Sequence, residues 1–397
     1  MLRMMKMEEI RILEVVDNYY PIIDGVVNVV DNYCRILNSK EGVTCDALVP
    51  WYPNTFDGGG YKVIRTLSMS GGKYGVRLPL PMFDRKLKKY LKEHHYDIIH
   101  CHSPVTLSRT MLRFAKKNNV PIVFTVHTKY HEEINRSVKL KCLQKFALNF
   151  LLYSIRRMDY VWAVSNIIAQ CLHDVYKIDV PCDVVENGSP NATLSEEKLF
   201  ELACISKEKH AITDERVLLF VGRLVVVKNI SMLLNTMKIL KENGLKFKFL
   251  IVGDGDYKKQ LEQEAKKLGV DDVTIFVGQV NDVAELSSYY KIADYFLFAS
   301  MFDSAPLVVR EASKMGTPSI LAKGSSSAEK IIDNENGFLA DLTPEAWADK
   351  IMQIENNPQI YQKVKANCSS IYPTVDQIVD NVLEKYKEII KKGKPKS

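Results

Sequence analysis

The chain has 397 residues, 46% of them hydrophobic and 26% charged, with a formal net charge of +6. That is enough apolar material for two domains with buried cores, which excludes a disordered, collagenous or disulfide-stapled miniprotein. No apolar run reaches the roughly 20 residues of a membrane span, and Glu8 and Glu9 interrupt the cationic start, which argues against a secretory leader.

In chain order the pattern alternates strand and helix. The run IRILEVV at 10–16 reads as a strand, PIIDGVV at 21–27 as a turn, and VVNVVDNYCRIL at 26–37 as a helix with Val29, Val30, Tyr33 and Ile36 on its apolar face. Residues 51–82 mix glycines, prolines and basic residues without a period, and read as strands and loops beside a binding cleft. DIIHCHS, PIVFTVHT and DYVWAVS follow as short buried strands, with a helix over KCLQKFALNFLLYSIRR before the last of them. This is a doubly wound parallel α/β design, which binds ligands at the carboxyl ends of its strands. Here those ends are Asp24 and Gly25, His102 and Ser103, His127 and Thr128, and Ser165.

The pattern pauses in the turn-rich segment around Gly188 to Asn191 and then starts again. VLLFVGR, FKFLIVGDG, VTIFVGQV, DYFLFAS and TPSILAK form a second set of strands, with helices such as YKKQLEQEAKKLG between them. Two Rossmann-like domains in tandem are the economical architecture. The last helix, VDQIVDNVLEKYKEIIKK, is compatible with either one, and the tail GKPKS reads as frayed.

The eight cysteines lack CxxC pairing or ligand-like spacing, which fits reduced thiols in the cytoplasm and gives no zinc signal. The positive charge is concentrated: Tyr61–Arg157 holds 20 basic residues against 5 acidic ones. Within it, MFDRKLKKYLKEHH places Phe83, Leu87, Tyr90 and Leu91 on one helical face, with Arg85, Lys86, Lys88, Lys89 and Lys92 around the rest. Such a helix either faces a core with a solvated back or lies on an anionic membrane, where each lysine contributes about 1 kcal/mol. Nucleic acid would also suit the charge, but no recognisable nucleic-acid module is present.

Several constellations could carry chemistry. Arg223 and Lys228 in FVGRLVVVK follow a strand end, where two cations could stabilise a diphosphate leaving group. In the segment 294–329, Pro306 suits the first turn of a helix whose free amides at Leu307 and Val308 would point toward Asp303 and attract phosphate. Glu311, a little over a turn later, could accept hydrogen bonds from a sugar ring. Asp254 and Asp256 form a DxD of the metal-binding kind, but in a tight Gly-rich strand-to-helix turn that disfavours a metal, and GDGDYK lacks the third glycine of a dinucleotide fingerprint. His100, His102, His127 and His131 could hold a metal, but no carboxylate at ligand spacing accompanies them. The simpler reading packs some of them and leaves His127 facing the cleft. No GxSxG elbow is present.

Taken together, VGRLxxxK, GDG, the acid-x7-acid segment running into EASKMGTPSIL, Gly25, His127–Thr128 and the turn at Asn187–Gly188 resemble the retaining glycosyltransferases of family 4, which have the GT-B fold. The resemblance spans essentially the whole chain. It implies two Rossmann-like domains with a cleft between them: an acceptor-binding domain at 1–189, to which a helix in 375–397 returns, and a nucleotide-sugar-binding domain at 190–374. By the same resemblance Arg223 and Lys228 bind the donor diphosphate, Glu311 grips the ribose, and the amides of Leu307 and Val308 meet phosphate. Gly25 lets backbone approach the donor, and His127 lies near the transferred sugar. No metal and no cofactor is expected. The sequence departs from the family at Asp303, which replaces a glutamate, and at the SSSAE turn of 325–329, which replaces GGxPE.

The resulting expectation is an α-retaining transfer of a hexose from UDP-glucose to a membrane lipid such as diacylglycerol, on the inner face of the cell membrane. Synthesis of capsule, teichoic acid or another surface polysaccharide is the near alternative. A sugar-nucleotide epimerase and a non-catalytic sugar-nucleotide sensor come from other classes. Oligomeric state is not legible.

Overall fold

The computed structural model of the protein describes residues 9–22, 24–53, 55, 59–71, 75–178, 180, 182–189 and 194–394. The cationic N-terminal start, Ile23 of the first turn, Asn191 of the linker and the last residues of the tail lie outside them. The chain divides into two units, residues 1–187 with 375–397, and residues 188–374.

The first unit runs β1 (Ile10–Val15), α1 (Gly25–Asn38), β2 (Val43–Pro50), β3 (Val63–Thr66), β4 (Ser68–Ser70) and β5 (Arg77–Pro79). It continues with α2 (Arg85–Glu93), β6 (Ile98–Cys101), α3 (Thr106–Asn118), β7 (Ile122–Val126), α4 (Tyr130–Ser137), α5 (Lys141–Ile155), β8 (Tyr160–Ala163), α6 (Asn166–Asp174) and β9 (Cys182–Val184). Seven of these strands form a parallel sheet in the order β3-β2-β1-β6-β7-β8-β9, and β4 and β5 make a separate antiparallel pair. The central strands are buried on both faces, which is why they read as continuous apolar runs. The Asp24 carboxylate caps α1 by accepting from the amides of Val26 and Val27, both at 2.9 Å.

The second unit runs α7 (Glu196–Lys209), β10 (Arg216–Val221), α8 (Ile230–Glu242), β11 (Phe247–Val252), α9 (Lys258–Leu268), β12 (Thr274–Gly278) and α10 (Val283–Ile292). After these come β13 (Tyr295–Phe298), α11 (Leu307–Lys314), β14 (Ser319–Ala322), β15 (Phe338–Ala340), α12 (Pro344–Glu355) and α13 (Pro358–Asn367). Its six-stranded parallel sheet has the order β12-β11-β10-β13-β14-β15. The chain then enters α14 (Val375–Lys392), which belongs to the first unit and packs beside α1.

Every strand expected from an apolar run is present, and both sheets are doubly wound. Two local expectations change. Pro306 is the N-cap of α11, with extended backbone at φ −67° and ψ 127°, and not a residue of its first turn. Phe83 precedes α2 and is 73% exposed, so only Leu87 and Leu91 of the proposed apolar face are buried.

Candidate active site

In the second unit the loops at the carboxyl ends of β10, β11, β13 and β14 converge. A Cβ on Gly253 would lie 2.0 Å from the carbonyl oxygen of Gly222, and one on Gly255 would lie 2.4 Å from that of Leu224. The GDG turn is therefore glycine-rich because two backbones touch there, with Leu224 N–H donating to the Asp254 carbonyl at 2.9 Å. Asp254 and Asp256 stay exposed, and the Asp254 carboxylate accepts from its neighbour Gly255 N–H at 2.8 Å.

The loop after β10 carries Arg223, exposed and with no side-chain hydrogen bond or ion pair among the described residues, and then a 3-10 turn over Val226–Lys228. Two bonds tie this loop to the end of β13: Asn229 Nδ2 donates to the Ala299 carbonyl at 3.0 Å, and Ser300 Oγ to the Val227 carbonyl at 3.2 Å. Lys228 is thereby held over the loop that follows β13, where its Nζ donates to both oxygens of Asp303 at 2.6 and 2.7 Å. The two sides of the expected donor site, lysine and acid, are paired with each other. Ser327 Oγ donates to the Asp303 carbonyl at 3.3 Å, so the serine turn is joined to the same residue.

The α11 helix begins right after this loop. Its N-cap, Pro306, has no side chain to accept from the first amides, and those of Leu307 and Val308 are left available to an anion. Glu311 sits one turn further, with Oε2 accepting from the Tyr290 hydroxyl at 2.7 Å. Burial pushes the Glu311 carboxyl up, against the opposing effect of Tyr290. Only the ionised form is purely an acceptor; with Glu311 on the ribose, as the family resemblance implies, nucleotide binding is expected to weaken on acidification at a higher pH than an ordinary carboxylate would give. Tyr290→Phe should weaken it about tenfold further and move the midpoint upward, as read from nucleotide Kd against pH by calorimetry.

In the first unit the ends of β1, β6 and β7 bring together a buried polar cluster. Glu14 is fully buried, as is His100, and His102 is 3% exposed. His102 Nε2 lies 2.7 Å from Glu14 Oε2, and His102 Nδ1 lies 2.9 Å from His127 Nε2. The Tyr386 hydroxyl, from α14, donates to Glu14 Oε1 at 2.8 Å and lies 2.5 Å from His100 Nδ1, whose other nitrogen is 2.7 Å from Thr125 Oγ1. Burial raises the Glu14 carboxyl, but the neighbouring His100 and His102 outweigh it and hold the carboxyl down at about 2. Burial and then the neighbouring His102 lower His100 to about 4, and burial with both neighbouring histidines holds His127 well below the usual imidazole range. His127 is the half-exposed member of the cluster; His131, on α4, is apart from it and bonds Tyr176. Gly25 opens α1, and a Cβ there would meet nothing within 4 Å, so packing does not require glycine at that position.

Sequence reasoning missed Glu14, Tyr386 and Tyr290. Glu14 had a usable signal: an acid in the middle of an apolar strand must be buried, and a buried carboxylate must be paired. The tyrosines carried none.

Arg85, Lys86, Lys88, Lys89 and Lys92 are all exposed. Beside them stand exposed Met82 and Phe83, and across α3, which packs on both β5 and α5, stand exposed Leu140, Leu143 and Phe146, the last of them 71% exposed. Arg113 reaches the Met82 sulfur, and the Arg109 guanidinium stacks 3.4 Å over Phe150. The first unit thus presents an apolar surface rimmed by cations.

Two Rossmann-like units of this topology are the GT-B architecture. The model of Glycosyltransferase Family 4 matches residues 23–190 and that of Glycosyl transferases group 1 matches residues 205–370. The chain belongs to this glycosyltransferase family. It is 27% identical over 333 residues to an alpha-monoglucosyldiacylglycerol synthase of Streptococcus pneumoniae, covering 80% of this chain and 72% of that one. It is 26% identical to the UDP-Gal:alpha-D-GlcNAc-diphosphoundecaprenol alpha-1,3-galactosyltransferase of Escherichia coli, covering 74% and 77%. Among solved structures, the Anabaena protein HepE in complex with UDP-glucose superposes with a TM-score of 0.73 at 17% identity, covering 95% of this chain and 99% of that one. Among the described residues no helix is long and apolar enough to cross a membrane.

Proposed function

We propose that the protein transfers a hexose from UDP-glucose, with retention and α-linkage, to a lipid acceptor such as diacylglycerol at an anionic membrane surface. The observation that carries the acceptor is the apolar, cation-rimmed surface of the first unit, on which Phe83, Phe146 and the cations of α2 stand exposed. The name of the pneumococcal relative supports the same chemistry, and the UDP-glucose complex of HepE supports the donor.

Residues 188–374 take the donor. Arg223, Lys228 and the amides of Leu307 and Val308 neutralise the diphosphate as it leaves, Glu311 accepts from the ribose, and Asp303 faces the hexose. For the diphosphate to engage Lys228, Asp303 must exchange its lysine for a sugar hydroxyl, a swap in which both charged groups keep a partner. Gly25 gives the donor room, and His127 meets a hydroxyl of the transferred sugar. The leaving phosphate itself takes the acceptor proton. The mechanism calls on no metal or cofactor.

A second reading, transfer to a polyprenyl-diphosphate-linked sugar in surface polysaccharide synthesis, is favoured by the Escherichia coli relative. It uses the same membrane surface and the same donor site.

Vesicle sedimentation tests the surface, and a product assay tests the acceptor. The protein should sediment with anionic vesicles at low salt and be released by about 0.5 M salt, because exposed charges are screened within a few ångströms there. Replacing Lys86, Lys89 and Lys92 together by glutamate should abolish sedimentation while leaving UDP binding intact. Equal binding to neutral and anionic vesicles would sink the surface assignment. A glucosylated diacylglycerol from UDP-glucose supports the first acceptor, and a product formed only on the polyprenyl-linked sugar supports the second.

A further inference from the structure

We propose that Glu14 is a positioning residue that acts through His102 to fix which ring nitrogen of His127 carries the proton. An ionised carboxylate has acceptors only, so everything bonded to Glu14 must donate. The Tyr386 hydroxyl gives its hydrogen to Oε1, and His102 must carry a hydrogen on Nε2 to reach Oε2 at 2.7 Å. With that one hydrogen on its ring, His102 is bare at Nδ1. The 2.9 Å contact with His127 consequently requires the hydrogen to sit on His127 Nε2, leaving His127 Nδ1 as a lone pair.

The other branch closes without conflict. Having donated to Glu14, the Tyr386 oxygen accepts from His100 Nδ1–H, and His100 Nε2 accepts from the Thr125 hydroxyl at 2.7 Å. Each hydrogen of the cluster thus has one place, set by a carboxylate in β1 and a hydroxyl in α14. The neutral state of His100 and His127 that their burial favours is the state this arrangement needs. His127 is thereby presented as an acceptor at Nδ1, suited to a sugar hydroxyl and not to a phosphate oxygen. This last step rests on the reading that His127 meets the transferred sugar; the tautomer itself does not.

Glu14, His100 and His102 are also the one group among the described residues with three ligand atoms within 4.8 Å of one another. Each of those atoms is already engaged inside the cluster, and a metal would have to break bonds that leave no buried polar group unpaired. The relay is the better account of the same geometry.

Long-range proton–nitrogen correlation spectra of the full chain, without substrates, read the tautomer directly. His127 should show a protonated Nε2 and a bare Nδ1, and Glu14→Leu should convert this to a mixture of both forms. Turnover of Glu14→Leu should fall about 10²-fold with the KM for UDP-glucose within twofold, since the orienting group is lost and donor contacts are not. In a His127→Ala background the same substitution should cost less than twofold, because Glu14 acts through His127. A protonated Nδ1 in the unmodified protein overturns the proposal, whatever becomes of the variants. So does an equal loss in both backgrounds, which marks a structural role, or one tightly held metal per chain by elemental analysis. If the tautomer is as stated but His127→Ala leaves turnover unchanged, the relay stands and the assignment of His127 to the sugar falls.

Discussion

Replacing Arg223 and Lys228 together by alanine is expected to lower turnover at saturating UDP-glucose by about 10³-fold or more, with a much smaller change in KM. In the proposed reaction both cations face charge that grows as the diphosphate leaves, so their contribution is larger in the transition state than in the bound substrate. The two residues are not equivalent. Arg223 is exposed with no side-chain partner among the described residues, whereas Lys228 Nζ is bonded to both oxygens of Asp303. Lys228→Ala alone therefore also leaves a half-buried carboxylate without its cation, beside the place where the diphosphate must bind. Adding Asp303→Asn should recover nucleotide affinity but not turnover, which separates removal of a misplaced negative charge from loss of the catalytic cation. Unchanged turnover in the Arg223→Ala, Lys228→Ala double variant, measured under saturation, would show that the diphosphate is stabilised elsewhere.

Ending the chain at Thr374 is expected to unfold the first unit. The α14 helix buries Val375, Ile378, Val379, Val382, Leu383, Tyr386 and Ile389. At about 1.5–3 kcal/mol for each large side chain buried, the loss is on the order of 10 kcal/mol, comparable with the whole stability of an ordinary domain. Truncation also removes the Tyr386 hydroxyl that pairs with Glu14 and His100, leaving buried polar groups unsatisfied. Among the described residues the core of the second unit takes no side chain from 375–394, and it should keep a cooperative transition and its stabilisation by UDP. Calorimetry with and without UDP reads both. A truncated chain that retained two transitions would refute the account of α14.

Much of the fold was legible because parallel strands buried on both faces must be mostly apolar, and β1, β6, β7, β10, β11, β13 and β14 all are, with few polar interruptions such as Glu14 and His100. The strands β9 (Cys182–Val184) and β15 (Phe338–Ala340), of three residues each, are too short to show any period and only the sheet reveals them. Phe83 shared a helical face on paper, but the helix starts two residues after it, once Asp84 has capped the chain.

By itself the sequence determined the family, the two α/β repeats, and which charged residues stand on the loops at the strand ends, because those depend on local order: a strand, its end, a glycine or a cation a few residues on. Only the tertiary structure decided what those groups touch. Lys228 and Asp303 are 75 residues apart, Glu14 and Tyr386 are 372 apart, and each pair meets because separate strand ends and a returning helix converge. Charge pairing and proton placement are properties of that convergence. No spacing along the chain encodes them, since the partners share neither an element nor a turn.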